Sequence, residues 1–292
     1  RKFFTYSLAP VFYNIGIIFG IVFLVRIFGP VGLAYGVVLG AVLHFFVQLP
    51  PVIKIGWRWR PVINFSLLGV KRIFRLMLPR SLALGLLQIN TFIIAILALR
   101  LKEGSLTILT WADNLQHFPI NIVGVSLALS VFPVFSQAWL EKNYAKFRQS
   151  FSLNFRRILF FIIPVSIVTL LLRAQIVRLI LGSFGGGKFD WEATILTAQT
   201  LGFFSLSMFA QASIPLLIRS FFAQQDTKTP VVVSFLSVVL NAVVGWYLSR
   251  QMGLYGLALA FSLSALFQML LLLIILRLRF GDLDDRKIIF ST

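Results

Sequence analysis

The chain has 292 residues, of which 59% are hydrophobic, and 31 of them are phenylalanines. A soluble domain of this length cannot bury that much apolar side chain, so the composition excludes an ordinary soluble protein and indicates a membrane protein. The net charge of +18 does not indicate nucleic-acid binding, because the basic residues punctuate apolar runs, and the absence of cysteine excludes disulfides and thiolate metal sites.

A membrane-spanning helix needs about 20 mostly apolar residues. Eight segments meet this requirement, so the sequence predicts an all-α polytopic membrane protein. In chain order the segments lie at roughly 4–25, 31–49, 77–99, 106–134, 153–172, 197–221, 231–248 and 254–276. The chain begins at Arg1 and enters the first segment at once, so we interpret it as part of a longer protein.

The charge distribution predicts the orientation of these spans. Eight spans place both ends of the chain on one side, and 20 of the 27 lysines and arginines fall on that side. Because basic loops stay in the cytoplasm, both ends are predicted to be cytoplasmic. The basic segment from Glu141 to Phe151 is predicted to form a short helix along the membrane surface, facing anionic lipid.

The first and last pairs of spans resemble each other. The segment GLAYGVVLGAVL (32–43) aligns with GLALAFSLSALF (256–267), and Gly29 aligns with Gly253 in the same register. The two pairs lie six spans apart, and this even spacing preserves their orientation. The pattern predicts a parallel repeat of six helices, with four helices preceding this chain.

The fourth span carries the most unusual polar cluster. Asp113 and His117 share a helix face, and Asn114 and Gln116 lie beside them. An ionisable group inside a membrane usually faces a bundle interior or a water-filled cavity, so these four residues are candidate cavity-lining residues. The alternative is an Asp113–His117 pair near the outer interface. Pro119 is predicted to bend this helix as a hinge.

Two further regions contain candidate functional residues. Arg80, after the proline at the cytoplasmic end of the third span, is predicted either to extend to lipid headgroups or to contact a diphosphate in the cavity. The segment RSFFAQQDTKTP is predicted to be a structural elbow. There Thr229 caps the next helix, Pro230 opens it, and Arg219 pairs with Asp226.

Several segments resemble the MurJ/MviN family of lipid II flippases, in the family's order and spacing. They are APVFYNIGIIFG, GPVGLAYGVVLGAVLHFFVQLP, LPRSLALGLLQIN, WADNLQHFPINIVGVSLALSVFPVFS and RSFFAQQDTKTPV. The resemblance implies a fold with two six-helix lobes. Residues 1–50 would hold the last two helices of the first lobe, 51–76 a basic cytoplasmic linker, 77–280 the second lobe and 281–292 the start of a cytoplasmic tail.

The resemblance also implies a function and a central cavity lined by the fourth span. Family members carry an arginine beside the aspartate, where this chain has Asn114, and His117 replaces a frequent acid. Ile94 and Gly245 stand where sodium-binding members have acids, which predicts no sodium site and no other cofactor.

The implied activity is alternating-access transport of lipid II or a similar undecaprenyl-diphosphate-linked sugar across the bacterial inner membrane. The implied partners are membrane lipids and cell-wall synthesis proteins. The alternatives are another lipid-linked oligosaccharide flippase, a multidrug antiporter and a non-transporting scaffold. The lack of paired intramembrane acids makes an enzyme improbable.

Overall fold

A computed structural model describes residues 3–54, 56, 88–182 and 190–281. The chain divides into two compact units, Arg1–Arg72 and Ile73–Thr292. In the described parts of both units the regular structure is helical.

The first unit is a helical hairpin. Its elements are α1 (Phe3–Phe19), a wide π-helical turn (Gly20–Leu24), α2 (Val25–Phe28) and α3 (Val31–Lys54). The chain reverses at Gly29, whose φ of +62° is a conformation that glycine adopts without the steric cost of a side chain.

Glycines determine how closely the two arms of this hairpin approach. A side chain at Gly16 or Gly20 would overlap the main chain of Gly40 or Gly36 in α3. The arms therefore pack backbone against backbone, as small residues allow between membrane helices.

The second unit is a bundle of nine described helices. They are α4 (Gln88–Leu99), α5 (Ser105–Ile120), α6 (Ser126–Leu140), α7 (Tyr144–Leu171), α8 (Arg173–Val177), α9 (Trp191–Ser205), α10 (Met208–Ala223), α11 (Lys228–Met252) and α12 (Leu254–Phe280). A π-helical turn (Asn121–Val125) joins α5 to α6, and a second one (Arg178–Gly182) follows α8.

The described helices account for seven of the eight predicted spans, with one difference in shape. Six described helices are long and apolar enough to cross a membrane, and α9 with α10 adds a seventh span that is bent by 49°. The sequence predicted one uninterrupted segment there, because no proline or glycine marks the break. The third predicted span is described only from Gln88 onward.

The predicted surface helix at Glu141–Phe151 is wrong. Asn143 caps α7 by accepting a hydrogen bond from the Lys146 N–H at 3.0 Å, and the helix then runs unbroken from Tyr144 to Leu171. Phe147 and Phe151 are fully buried. This segment is the beginning of a span because its aromatic face packs into the bundle, which a helix lying on the membrane surface would leave exposed.

Two hydrophobic clusters form the core of the second unit. One joins α6, α7, α10 and α12, with the fully buried residues Phe135, Phe147, Phe151, Leu216 and Leu272 among its members. The other joins α4, α5, α9 and α12 through residues that include Ala98, Leu109, Leu201 and Leu257. The buried polar residues Gln116 of α5, Gln211 of α10 and Ser262 of α12 form a third group, which we call the polar layer.

The α11–α12 hairpin repeats the turn of the first unit. Gly253 has a φ of +60°, close to that of Gly29. A side chain at Gly256 would overlap the carbonyl of Leu248, just as one at Gly32 would overlap the carbonyl of Leu24. These positions correspond one to one in the sequence alignment, so the aligned segments share a turn geometry.

Candidate functional site: a polar layer beneath the exposed face of α5

The polar layer is a chain of hydrogen bonds that links α5, α9, α10 and α12. Gln211 on α10 donates to Gln116 Oε1 and to Ser207 Oγ, both at 2.9 Å. The Ser207 hydroxyl donates to Ser262 Oγ on α12 at 3.0 Å, and Ser262 donates to the Phe203 carbonyl at 2.8 Å. These bonds satisfy side chains that would otherwise be costly to bury in an apolar bundle.

The same chain reaches the surface at Asp113. The Gln116 amide donates to Asp113 Oδ1 at 2.9 Å, while His117 Nδ1 lies 3.2 Å from that oxygen and 2.9 Å from the Asp113 carbonyl. Because both partners are acceptors, Nδ1 carries the proton of the ring. The side chains of Asp113 and His117 are 40% and 42% exposed, so this pair is open on one side.

The four candidate residues of α5 therefore separate into two groups. Asp113 and His117 are half-exposed and Asn114 is exposed, which fits a shared polar face. Gln116 is fully buried, and its assignment as a cavity-lining residue is wrong. A polar side chain is tolerated there because Gln116 accepts a hydrogen bond from Gln211 on α10, and the sequence alone does not reveal this partner.

Pro119 lies just before a local change in helix geometry, and its role as a hinge stays a prediction. It lies inside α5, and the π-helical turn at Asn121–Val125 follows it within a continuous 36-residue span, Ser105–Leu140. Gly124 in that turn approaches the main chain of Ala212 so closely that a side chain would overlap it. The wide turn of one span therefore packs against α10 just beyond the break between α9 and α10. The other cavity candidate, Arg80, lies outside the described residues.

The elbow before α11 has a different ion pair from the predicted one. Asp226 Oδ2 lies 2.6 Å from Arg279 Nη2, at the end of α12. Among the described residues, Arg219 has no carboxylate within range. The predicted Arg219–Asp226 pair is therefore wrong, because the packing of α12 beside α10 brings a different arginine to the carboxylate.

Asp226 also replaces Thr229 as the capping residue. Its Oδ1 accepts from the Thr229 N–H at 3.0 Å and its Oδ2 from the Thr229 hydroxyl at 2.6 Å. α11 already begins at Lys228, so Thr229 and Pro230 lie in its first turn, where proline is tolerated. Burial opposes ionisation of Asp226, but hydrogen bonds from Thr229 and the nearby Arg279 outweigh it and lower its pKa to about 2.

The positions aligned with sodium ligands hold neutral groups. Asn241 on α11 donates to Asn90 Oδ1 on α4 at 2.7 Å. The Cα of Gly245 faces the apolar side chains of Leu97, Leu257 and Ala260. This geometry is a direct helix-to-helix hydrogen bond beside an apolar contact, and the lack of a sodium site remains a prediction.

Sequence reasoning missed three groups that organise the site: Gln211, the Ser207–Ser262 pair and Arg279. Each lies in an otherwise apolar or basic stretch without a motif. Their sequence signal is weak, since Gln211 was one polar residue among several on a long helix.

The described fold is similar to those of helical membrane transporters. A solved lipid II flippase MurJ in its inward closed conformation matches 95% of this chain and 57% of its own, with a TM-score of 0.80 and 24% identity. An inward-facing multidrug resistance transporter of the MATE family matches 95% of this chain and 64% of its own, with a TM-score of 0.79 and 17% identity. These likenesses confirm the predicted all-α polytopic transporter fold.

The sequence identifies the family. The lipid II flippase MurJ family matches residues 1–292, and the chain belongs to that family. A probable lipid II flippase MurJ from Vibrio cholerae is 31% identical over 279 residues, which are 93% of this chain and 51% of that protein. The lipid II flippase MurJ of Burkholderia cenocepacia is 29% identical over 281 residues, 94% of this chain and 54% of that protein. The chain thus spans about half the length of these relatives.

Proposed function

We propose that the full-length protein moves lipid II, the lipid-linked precursor of peptidoglycan, across the bacterial cytoplasmic membrane. Family membership over the whole chain supports this substrate. In this proposal the chain crosses the membrane several times with both of its ends in the cytoplasm. The 20 basic residues on that side support this orientation.

The open polar face of α5 is the observation that carries the proposal. Asp113, Asn114 and His117 are accessible on the span Ser105–Leu140, where apolar residues such as Phe118 and Ile122 are also exposed. An aspartate facing hydrocarbon is disfavoured by about 2.5–3.5 kcal/mol on insertion scales, so this face requires water or a polar ligand. A hydrated passage for a sugar headgroup meets that requirement.

Alternating access needs points where helices bend, and two breaks lie close together in this unit. The bend between α9 and α10 and the π-helical turn after α5 are joined through Gln116–Gln211 and Gly124–Ala212. In the proposed mechanism these breaks let the bundle rearrange while the polar layer keeps α5 and α10 in register. The MATE likeness is at the level of fold alone and does not favour drug export.

Thiol accessibility in the full-length protein tests the proposal. Cysteine at Asn114 or His117 should react with a water-soluble thiol reagent, and added lipid II should slow the reaction. Ala112→Cys is the matched control, because Ala112 lies on the same helix and is fully buried. Its reaction should be slow with or without lipid II.

A second measurement separates transport from accessibility. Liposomes that contain the full-length protein should translocate lipid II faster than empty liposomes, and His117→Leu should reduce the rate without reducing the protein content. Inert cysteines at both positions in active protein would contradict the cavity. Reactive cysteines in a protein that moves no lipid II would instead favour the non-transporting scaffold, whose only sequence support is Asn114 in place of arginine.

A further inference from the structure

A pocket lies at the end of the bundle that is opposite the start of α5. It has a volume of about 580 Å³, and its walls are Trp139, Tyr144, Arg148, Gln224, Arg279 and Phe280. These residues come from the end of α6, the start of α7, the end of α10 and the end of α12. The pocket therefore lies at the level where several spans end, which is where a membrane helix meets the headgroup region.

Aromatic packing builds one side of this pocket. Phe280 stacks on Phe147 with ring centroids 4.9 Å apart, and Trp139 contacts both Tyr144, at 5.5 Å, and Phe280, at 6.1 Å. Tryptophan and tyrosine favour the membrane–water interface because each has an apolar ring and a polar donor. The aromatic wall thus matches an amphipathic ligand.

The two arginines of the pocket have different roles. Arg279 is committed to Asp226 and Thr229, with a weaker contact to Gln224 at 3.3 Å. Among the described residues, Arg148 has a single hydrogen bond, from Nη1 to the Phe280 carbonyl at 3.4 Å, and no carboxylate partner. Its guanidinium therefore adds a positive charge to the pocket that Asp226 does not neutralise.

Capping the end of α12 does not explain why the Arg148 guanidinium lies in this pocket. The 3.4 Å contact is at the outer limit of a hydrogen bond. The end of α12 is already closed by Gly281, whose N–H donates to the Arg277 carbonyl at 2.8 Å. The remaining donors of Arg148 suit the oxygens of a phosphate, which guanidinium groups bind in a two-pronged geometry.

We infer that this pocket binds the phosphate of an anionic phospholipid headgroup through Arg148, with Trp139 and Tyr144 against the glycerol region. Leu140 and Leu278 favour a lipid over a soluble phosphate. They neighbour pocket residues in sequence, and their side chains are 74% and 81% exposed. Basic pockets between spans on the cytoplasmic side are a known form of headgroup recognition. The inference does not depend on lipid II transport.

Lipid retention by the purified full-length protein tests the inference. In native mass spectrometry, phosphatidylglycerol should remain bound more than phosphatidylcholine, and Arg148→Gln should weaken its binding roughly tenfold. Arg157→Gln is the matched control, since Arg157 is an exposed arginine on the same helix outside the pocket. It should retain phosphatidylglycerol like the unmodified protein.

Two further arms keep the test decisive. Arg148→Lys keeps the positive charge but loses the paired donors of the guanidinium, so it should retain less phosphatidylglycerol than Arg157→Lys. This comparison holds even if Arg148→Gln fails to fold. Equal losses in the Arg148 and Arg157 variants, or equal retention of both lipids, would overturn the inference in favour of general surface attraction. If Arg148 is needed to bind inorganic phosphate but the protein does not prefer phosphatidylglycerol, the pocket's ligand is a soluble phosphate and the proposed lipid is wrong.

Discussion

The two helical hairpins that share a turn, α1–α3 and α11–α12, hold their arms together by different means. Both reverse at a glycine of positive φ, and both bring a second glycine against the carbonyl of a leucine eight residues earlier. Beyond the turn, the first hairpin continues with Gly36 and Gly40, where the second has Ala260 and Ser264. The first packs main chain on main chain, whereas the second uses small side chains and a hydrogen bond from Ser237 to the Ser264 carbonyl at 2.9 Å.

This difference separates two constraints on the sequence. The turn demands glycine for two reasons: Gly29 and Gly253 have a positive φ, and a side chain at Gly32 or Gly256 would overlap main-chain atoms. The helices of each hairpin need only small residues where they pack against each other. Glycines serve in the first hairpin, and alanine and serine serve in the second. The second hairpin has an additional contact at its open end, where Arg279 of α12 bonds Asp226 and Thr229 just before and within the first turn of α11.

The largest effect is expected where the hairpins agree. Gly32→Val and Gly256→Val each place a branched side chain against a leucine carbonyl, and overpacking of this kind costs about 1–3 kcal/mol or more. Both variants should lose most of the folded protein recovered from membranes. Ala34→Val, at an exposed position of α3, should behave like the unmodified protein. A tolerated valine at either glycine would show that the shared turn can widen.

The arms should respond differently to matched exchanges. Gly36→Ala brings a methyl group into the main chain of Gly20, so we expect a loss of about 1–3 kcal/mol of unfolding free energy. The reciprocal change Ala260→Gly removes one methyl group and should cost about 1 kcal/mol. Thermal denaturation in detergent compares the two. Equal losses would remove the distinction between the hairpins.

At the open end of the second hairpin, the stability of the fold should depend on Asp226 and Arg279 and on pH. Asp226→Ala and Arg279→Gln should each lower stability by about 0.5–2 kcal/mol, since they remove a cap and an ion pair. Arg219→Gln, at the arginine favoured by sequence alone, should have little effect. A larger loss for Arg219→Gln than for Arg279→Gln would contradict the observed pairing.

The pH response follows from the lowered pKa of Asp226. Its pKa is about 2 in the folded protein against 3.8 for an ordinary aspartate, so the ionised form stabilises the fold above about pH 4. That contribution should disappear as the pH falls from about 4 towards 2. Unfolding temperatures measured across this range should fall less steeply for Asp226→Asn than for the unmodified protein.

The smallest effect is expected at the single hydrogen bond between the arms. Ser237→Ala removes the donor to the Ser264 carbonyl and should cost about 0.6 kcal/mol, a typical value for polar contacts between membrane helices. Ser237→Thr keeps the hydroxyl and serves as the control. A cost well above that of Ala260→Gly would mean that hydrogen bonding, more than packing, holds this hairpin.

Much of the fold was predictable from local sequence. The spans followed from apolar length, and the shared turn followed from the alignment of Gly29 with Gly253 and Gly32 with Gly256. The site was only partly predictable. The common face of Asp113 and His117 follows from helical spacing, but the burial of Gln116 does not, because the same spacing fits a lipid, a cavity or a neighbouring helix.

Hydropathy and helical period are properties of short segments, so the sequence by itself determined the all-helical membrane character, seven of the eight spans and the correspondence of the first and last helix pairs. Three features required the packed bundle: the pairing of Gln116 with Gln211, the choice of Arg279 over Arg219 by Asp226, and the bend between α9 and α10. Each depends on which side chains from distant segments meet. A buried polar group selects whichever partner the packing brings within hydrogen-bond distance, and no local pattern records that choice.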